Sequence, residues 1–156
     1  MAAMKSFEGA DRRFDFHIKN DDLVLLSDYA HHPDEVEACA QSIKQLYSDK
    51  KVTALFQPHL FSRTKDFYKE FAQSLSLFDE VILVDIYPAR ELPIEGVTSN
   101  LIYYHIADGV KKSMCSRSDV TKIVEQKKNE IEVLVSLGAG DIENDIPRMK
   151  EILINR

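Results

Sequence analysis

The chain has 156 residues, 44% of them hydrophobic and 29% charged, with 5 Gly and 5 Pro. That is enough apolar material for one domain with its own core, and it excludes a long disordered or collagen-like chain. With 26 acidic against 20 basic residues the formal charge is -6, so the surface as a whole does not attract nucleic acid or anionic lipid, and any bound anion has to be held locally. The two cysteines, Cys39 and Cys115, form no CxxC pair; they suggest neither a disulfide framework nor a zinc knuckle and fit a reducing cytoplasm. No apolar run approaches the roughly 18–20 residues of a membrane span, and residues 1–13 lack the apolar stretch of a secretory signal.

Residues 1–12, MAAMKSFEGADR, carry no period and read as a leader or linker, with order beginning near Arg13. Residues 14–18 and 23–27, separated by the turn-like Lys19-Asn20-Asp21-Asp22, read as a hairpin or two nearby strands. Val36, Cys39, Ile43 and Leu46 then recur at steps of 3, 4 and 3, the spacing of one buried helical stripe, with Pro33 in the first turn where a helix accepts it. Residues 52–56 form a short apolar strand, and Phe67, Phe71, Leu75 and Phe78 mark a second amphipathic helix. Residues 81–86 are almost wholly apolar, as in a strand of a parallel sheet covered on both faces. After a loop holding Tyr87, Pro88 and Pro93, the pattern predicts a helix over 99–110, a weak strand over 111–115 and a helix over 118–129 with Ser118 as N-cap. A strong strand over 131–137, the turn Gly138-Ala139-Gly140 and a last helix carrying Ile142, Ile146, Met149 and Ile152 complete the chain. Strands alternating with helices predict an α/β fold: a Rossmann-like, open, mainly parallel sheet of right-handed βαβ units, flanked by helices in three αβα layers as a single domain.

In such sheets ligands gather at the carboxyl ends of the strands. Four polar clusters coincide with that edge: DYAHHP from Asp28, QPHLFSRT from Gln57, DIYPAR from Asp85 and GAGD from Gly138. His31 and His32 with Asp28 and Asp34 contain metal-ligand residue types, but adjacent side chains point apart and no further His or Cys completes a tetrahedron, so contacts to a polar ligand are the favoured reading beside a plain loop pair. His59 and Arg63 stand at the start of the second helix, where free N–H groups, the dipole and a guanidinium suit a carboxylate or phosphate; pairing of Arg63 with Asp66 or Glu70 is the equal alternative. Asp85 and Arg90 are either an acid and base pair or a solvated loop pair. The glycine pair lacks the third glycine of GxGxxG, and GxxxxGK[ST] is absent, so the chain is not a complete P-loop enzyme. Cys39 lies on the buried stripe as core filler, and no GxSxG elbow is present.

Taken in order, DYAHHPDE, FQPHLFSRT, DIYPARELPIEGV and LGAGDI resemble the C-terminal domain of the Mur ligases, and FEGADRRF resembles the link from that family's central domain. HHP and QPH together favour the alanine-adding branch; the branch that recycles murein tripeptide is the nearest rival. The resemblance implies a three-domain enzyme of peptidoglycan synthesis, cytoplasmic, of which residues 13–156 are the third domain and 1–12 a leader from the central ATPase domain, so that this chain alone does not turn over. It implies ATP-dependent joining of L-alanine to UDP-N-acetylmuramate through an acyl phosphate, with Mg2+ held mainly by the central domain, and no nucleic acid or membrane partner. Carried over residue by residue, Arg13 is implied to reach ATP and Asp28 to stand beside the ribose, while Tyr29, His31, His59 and Arg63 surround the incoming alanine, Arg63 as partner of its carboxylate. Where the family's pattern has a second arginine after QPH this chain has Leu60, and Arg90, where many members have glycine, is the candidate to compensate. Two readings outside the resemblance remain: a free-standing α/β module for an anion or nucleotide, and an interaction domain without a ligand of its own.

Overall fold

A computed structural model describes residues 14–156. Its strands are β1 (Asp15–Lys19), β2 (Val24–Asp28), β3 (Val52–Phe56), β4 (Glu80–Val84), β5 (Lys111–Cys115) and β6 (Val133–Leu137). Its α-helices are α1 (Pro33–Leu46), α2 (Phe61–Leu75), the single turn α3 (Asn100–Tyr103), α4 (Val120–Lys127) and α5 (Ile146–Ile154). The strands form one six-stranded sheet in the order β1-β2-β6-β3-β4-β5. The hairpin partner β1 runs antiparallel to β2, and every other neighbouring pair is parallel.

The two-residue period of each strand sorts its side chains onto two faces. Val24, Leu26, Val52, Ala54, Phe56, Val81, Leu83, Val133 and Val135 pack with Val36, Ile43, Phe71, Leu75 and Ile102, under α1, α2 and α3. Leu25, Leu55, Ile82, Val84 and Leu134 pack on the opposite face with Val120, Val124, Ile146, Met149 and Ile152, under α4 and α5. The result is the expected three-layer α/β arrangement. The chain leaves β2, β3 and β4 toward one face and β5 and β6 toward the other. Because β6 lies between β2 and β3, the loops at their carboxyl ends diverge there, and such a divergence opens a crevice.

Several elements differ from the sequence expectation. Leu46 is 59% exposed at the last residue of α1, beyond the stretch that covers the sheet. Phe67 is not part of the buried stripe: its backbone leaves helical geometry at φ -123°, ψ 17°, and the side chain is 39% exposed. Phe78 is buried but lies past the end of α2. Residues 99–110 hold only the one turn of α3. Ser118 caps nothing, since Arg117–Asp119 is a 3-10 turn and α4 begins at Val120. Likewise Asp141–Asp145 is a 3-10 turn leading into α5.

Candidate functional site

The loop after β2 is organised by two carboxylates. Asp28, 5% exposed, accepts the backbone N–H of Ala30 at 2.9 Å. Glu35, in the first turn of α1, accepts the backbone N–H groups of His31 at 2.9 Å and His32 at 3.2 Å, as a third helical residue does when it caps its own helix. The His31 ring folds back so that Nδ1 is 2.9 Å from the carbonyl oxygen of Tyr29, with Glu35 Oε1 at 3.4 Å. The Tyr29 and His31 rings meet edge to face with centroids 5.3 Å apart.

The loop after β3 comes up beside it. His59 forms a parallel bridge with Tyr87 from the loop after β4, closed by Tyr87 N–H to Pro58 O and Leu60 N–H to Tyr87 O, each 2.8 Å. Ring centroids run from His32 to His31 at 5.0 Å, His31 to His59 at 5.9 Å and His59 to Tyr87 at 5.5 Å. Tyr29, His31, His59 and Tyr87 thus make one aromatic wall drawn from three strand ends. Burial pushes the His59 pKa down, and the Arg63 guanidinium and His31 push the same way, against Glu91. His59 is therefore a neutral imidazole near neutral pH. Leu60, at the start of α2, holds φ 77° and ψ 138°, a region that residues with a Cβ seldom enter and one that recurs where surroundings impose strain at functional sites.

The first turn of α2 corrects two of the sequence readings. Two of its free N–H groups are already used: the Glu91 carboxylate accepts the Ser62 N–H at 3.0 Å, the Ser62 hydroxyl and the Phe61 N–H. Those bonds, the Ser62 hydroxyl foremost, hold the Glu91 carboxyl below the usual carboxylate range. An acidic side chain of the chain itself therefore occupies the first two N–H groups of the helix terminus. Arg63, half-buried one residue on, makes no hydrogen bond or ion pair among the described residues, so the alternative pairing with Asp66 or Glu70 is not formed. Arg90 is exposed on the Glu91 loop, and its pair with Asp85 does not form: Asp85 accepts the backbone N–H of Arg117 at 3.3 Å instead. Arg13 lies outside the described residues.

Sequence reasoning missed the clamp behind the site. Gln57 donates through Nε2 to Asp141 Oδ1 at 2.8 Å and accepts the Ile142 N–H on Oε1 at 3.0 Å. Arg117 donates through Nε to Asp141 Oδ1 at 2.9 Å and through Nη1 to Asp145 at 2.6 Å. The glycines of the GAG turn serve this clamp rather than a pyrophosphate. A Cβ on Gly140 would lie 2.6 Å from both Gln57 Oε1 and Tyr87 Cγ, and Gly138, at φ 144°, would meet the Gln57 carbonyl at 2.9 Å. Gly140→Ala is expected to cost about 1–3 kcal/mol of stability, as overpacking does, and to push Tyr87 off His59; thermal unfolding of the variant with an unchanged midpoint would contradict the clamp.

Among the described residues no three His, Cys, Asp or Glu side chains gather so as to hold a metal ion. Asp28 borders a recess of about 10 Å3, with Tyr29, Gly138 and Ser136, whose buried hydroxyl has no partner. That is room for a hydroxyl or one water, not for a base. Cys115 is a poor nucleophile, since burial, with Asp85 and Asp119, raises its thiol pKa to about 11.

Fold and site together define an α/β domain that presents a cation, imidazoles and a carboxylate at the carboxyl edge of its sheet. The family model for "Mur ligase, glutamate ligase domain" matches residues 12–142; the chain belongs to the Mur ligase family. Over 150 residues it is 61% identical to the UDP-N-acetylmuramate--L-alanine ligase of Phocaeicola vulgatus, covering 96% of this chain and 32% of that protein. It is 48% identical to the ligase of the same name from Christiangramia forsetii, covering 98% and 33%. The chain thus spans about a third of the length of the curated relatives it matches. Among solved structures, the UDP-N-acetylmuramate-alanine ligase of Thermotoga maritima superposes with a TM-score of 0.68 at 22% identity, over 99% of this chain and 35% of that one. A murein peptide ligase from Psychrobacter arcticus gives 0.73 at 20% identity, over 93% and 30%. Both share the fold.

Proposed function

We propose that the chain is the domain of a UDP-N-acetylmuramate:L-alanine ligase that closes over ATP and receives the incoming amino acid. The observation that carries this is an arginine that forms no ion pair among the described residues, Arg63, with Glu91 within electrostatic range, beside an imidazole wall of His31 and His59 at one strand edge. Identity of 61% to a ligase of that name supports alanine over the other amino acids of the family.

In this reading Arg63 takes the alanine carboxylate, a bidentate match of planar fork to planar anion. His31 and His59 order the amine and carboxylate, and Tyr29 and Tyr87 wall them from water. Asp28 accepts a ribose hydroxyl at the mouth of the recess, and Arg13 reaches the phosphates. ATP supplies the activation of the muramate carboxyl as an acyl phosphate; Mg2+ belongs to residues outside this domain. The domain's contribution is positioning, which is worth much of the barrier when two reactants must meet. Placement in the cytoplasm follows from those substrates; among the described residues no helix is long and apolar enough to cross a membrane.

The test is phosphate release from ATP in the presence of UDP-N-acetylmuramate. The full-length enzyme carrying this domain releases phosphate only when L-alanine is added, and the 156-residue chain alone releases none. Turnover by the chain alone, or indifference of the full-length enzyme to alanine, would refute the assignment.

A further inference from the structure

The edge strand β5 stands three places from β6 in the order β6-β3-β4-β5, yet the loops that follow the two strands are joined. Arg117 donates through Nε to Asp141 Oδ1 at 2.9 Å, through Nη2 to the Asp141 carbonyl oxygen at 2.9 Å and through Nη1 to Asp145 at 2.6 Å. Its own N–H goes to Asp85, just past the end of β4, at 3.3 Å. The Asp141 oxygen that meets Arg117 Nε also accepts Gln57 Nε2, just past the end of β3, at 2.8 Å. One residue thus ties together the carboxyl ends of β3, β4, β5 and β6. The tie is open to water: the side chains of Arg117, Asp141 and Asp145 are 28%, 41% and 22% exposed. Ion pairs that solvent can screen contribute little to stability, so the use of this one lies in where it holds the loops.

What the tie fixes is the ring of Tyr87. The bridge to His59 sets the Tyr87 backbone and leaves its side chain free to turn. The ring lies between His59, with centroids 5.5 Å apart, and Gly140, whose backbone is so near that a Cβ there would come within 2.6 Å of Tyr87 Cγ and 2.8 Å of Tyr87 Cβ. Gly140 precedes Asp141, so whatever holds Asp141 also backs the ring. Gln57 cannot follow a shift of this loop without loss, because it is 1% exposed and both ends of its amide are committed, to Asp141 and to the Ile142 N–H. We propose that Arg117 is a positioning residue of the amino-acid site: holding Asp141 from the loop after β5, it keeps Gly140 against Tyr87 and Tyr87 against His59. This rests on the amino-acid-binding function proposed above, in which Arg117 acts only through Asp141. A displacement of about 1 Å in a group that orients a reactant is enough to slow a reaction.

Two measurements test the tie. In the 156-residue chain, nuclear Overhauser contacts between the Tyr87 and His59 rings should be present and should weaken or vanish in Arg117→Ala, while the melting temperature falls by no more than about 5 °C, as for a solvated ion pair. Undiminished ring contacts in Arg117→Ala overturn the proposal whether or not the ligase reading holds. Should Arg117→Ala not fold, Arg117→Lys carries the same comparison, since its ammonium can meet one carboxylate but lacks the fork that meets two. In the full-length enzyme, Arg117→Ala should raise the KM for L-alanine about three- to tenfold and leave that for UDP-N-acetylmuramate unchanged, with Arg117→Lys between. A residue that acts through Tyr87 loses its effect once the ring is gone, so Arg117→Ala should add nothing to Tyr87→Ala. The same multiplication of the alanine KM in both backgrounds overturns the proposal, as does an equal rise in both substrates' KM values, the mark of a domain loosened throughout. Absence of alanine-dependent turnover in the unmodified enzyme would instead defeat the ligase reading and leave the ring contacts to decide the tie.

Discussion

Arg63→Ala in the full-length enzyme is expected to raise the KM for L-alanine about 10- to 100-fold, the loss of a hydrogen-bonded charge pair of roughly 1.5–3 kcal/mol. The reason is local. Arg63 is half-buried in the first turn of α2 and forms no ion pair among the described residues, although Glu91 lies within electrostatic range. The helix terminus beside it cannot substitute, because Glu91 already takes the N–H groups of Phe61 and Ser62. The carboxylate is bound alike before and during reaction, so KM should change more than kcat. Arg63→Lys keeps the charge without the planar fork and should recover only part of the loss. Arg90→Ala, on an exposed loop tied to α2 through Glu91, should raise the same KM several-fold. Initial rates of phosphate release against alanine concentration measure both; an unaltered KM in Arg63→Ala would end the assignment of Arg63, and in Arg90→Ala that of Arg90.

What could be read from the sequence was whatever depends on neighbours a few residues away. The two-residue and 3.6-residue periods placed β3 at its observed ends and gave the buried face of α1 through Ile43. Patterns failed where a distant group intervened. Residues 99–110 look helical, yet the carbonyls of Tyr103 and Ile106 are taken by the Lys112 ammonium at 3.2 Å, and the Ala107 N–H goes to Ser76. Tyr103 O accepts the Ile106 N–H at 3.3 Å in place of the Ala107 N–H that a continuing helix would bring, and the segment turns after Tyr103.

The same divide runs through the site. The four strand-end clusters were visible because a parallel sheet gathers its carboxyl ends, and that placed Asp28, Tyr29, His31, His59 and Arg63 on one edge. Glu91 closing α2 from 29 residues away, and Gln57 clamped to Asp141 across 84, follow from strand order and register. No local signal carries them.

Glu80→Gln is expected to lower stability by about 2–4 kcal/mol and the melting temperature by roughly 5–15 °C in a domain of this size. Glu80 opens β4 at the amino edge of the sheet, away from the site, and is 2% exposed. Its carboxylate is held by Lys51 at 2.9 Å and Lys127 at 2.8 Å. Burial pushes its pKa up, but the hydrogen bonds from Lys127 and Lys51 outweigh that and leave it below the ordinary value. Glutamine keeps the shape and removes the charge, so both ammonium groups lose their counter-ion; partial exposure of the lysines, 30% and 17%, lets water recover some of the cost. A carboxyl whose pKa is depressed on folding stabilises above its unfolded value, near 4.3, and that stability drains as pH falls through the folded value. The unmodified domain should therefore hold a level melting temperature near neutrality and lose it below about pH 4.5. Asp79 and Asp141, also depressed, add to this slope but lie at more exposed positions where solvent screens them. In Glu80→Gln that part of the acid sensitivity is gone, so its melting temperature should converge on that of the unmodified domain as pH drops from 7 to 3.5. Melting curves for the two proteins that stay parallel across that range would show that the two lysines do not depress the Glu80 carboxyl in the folded state.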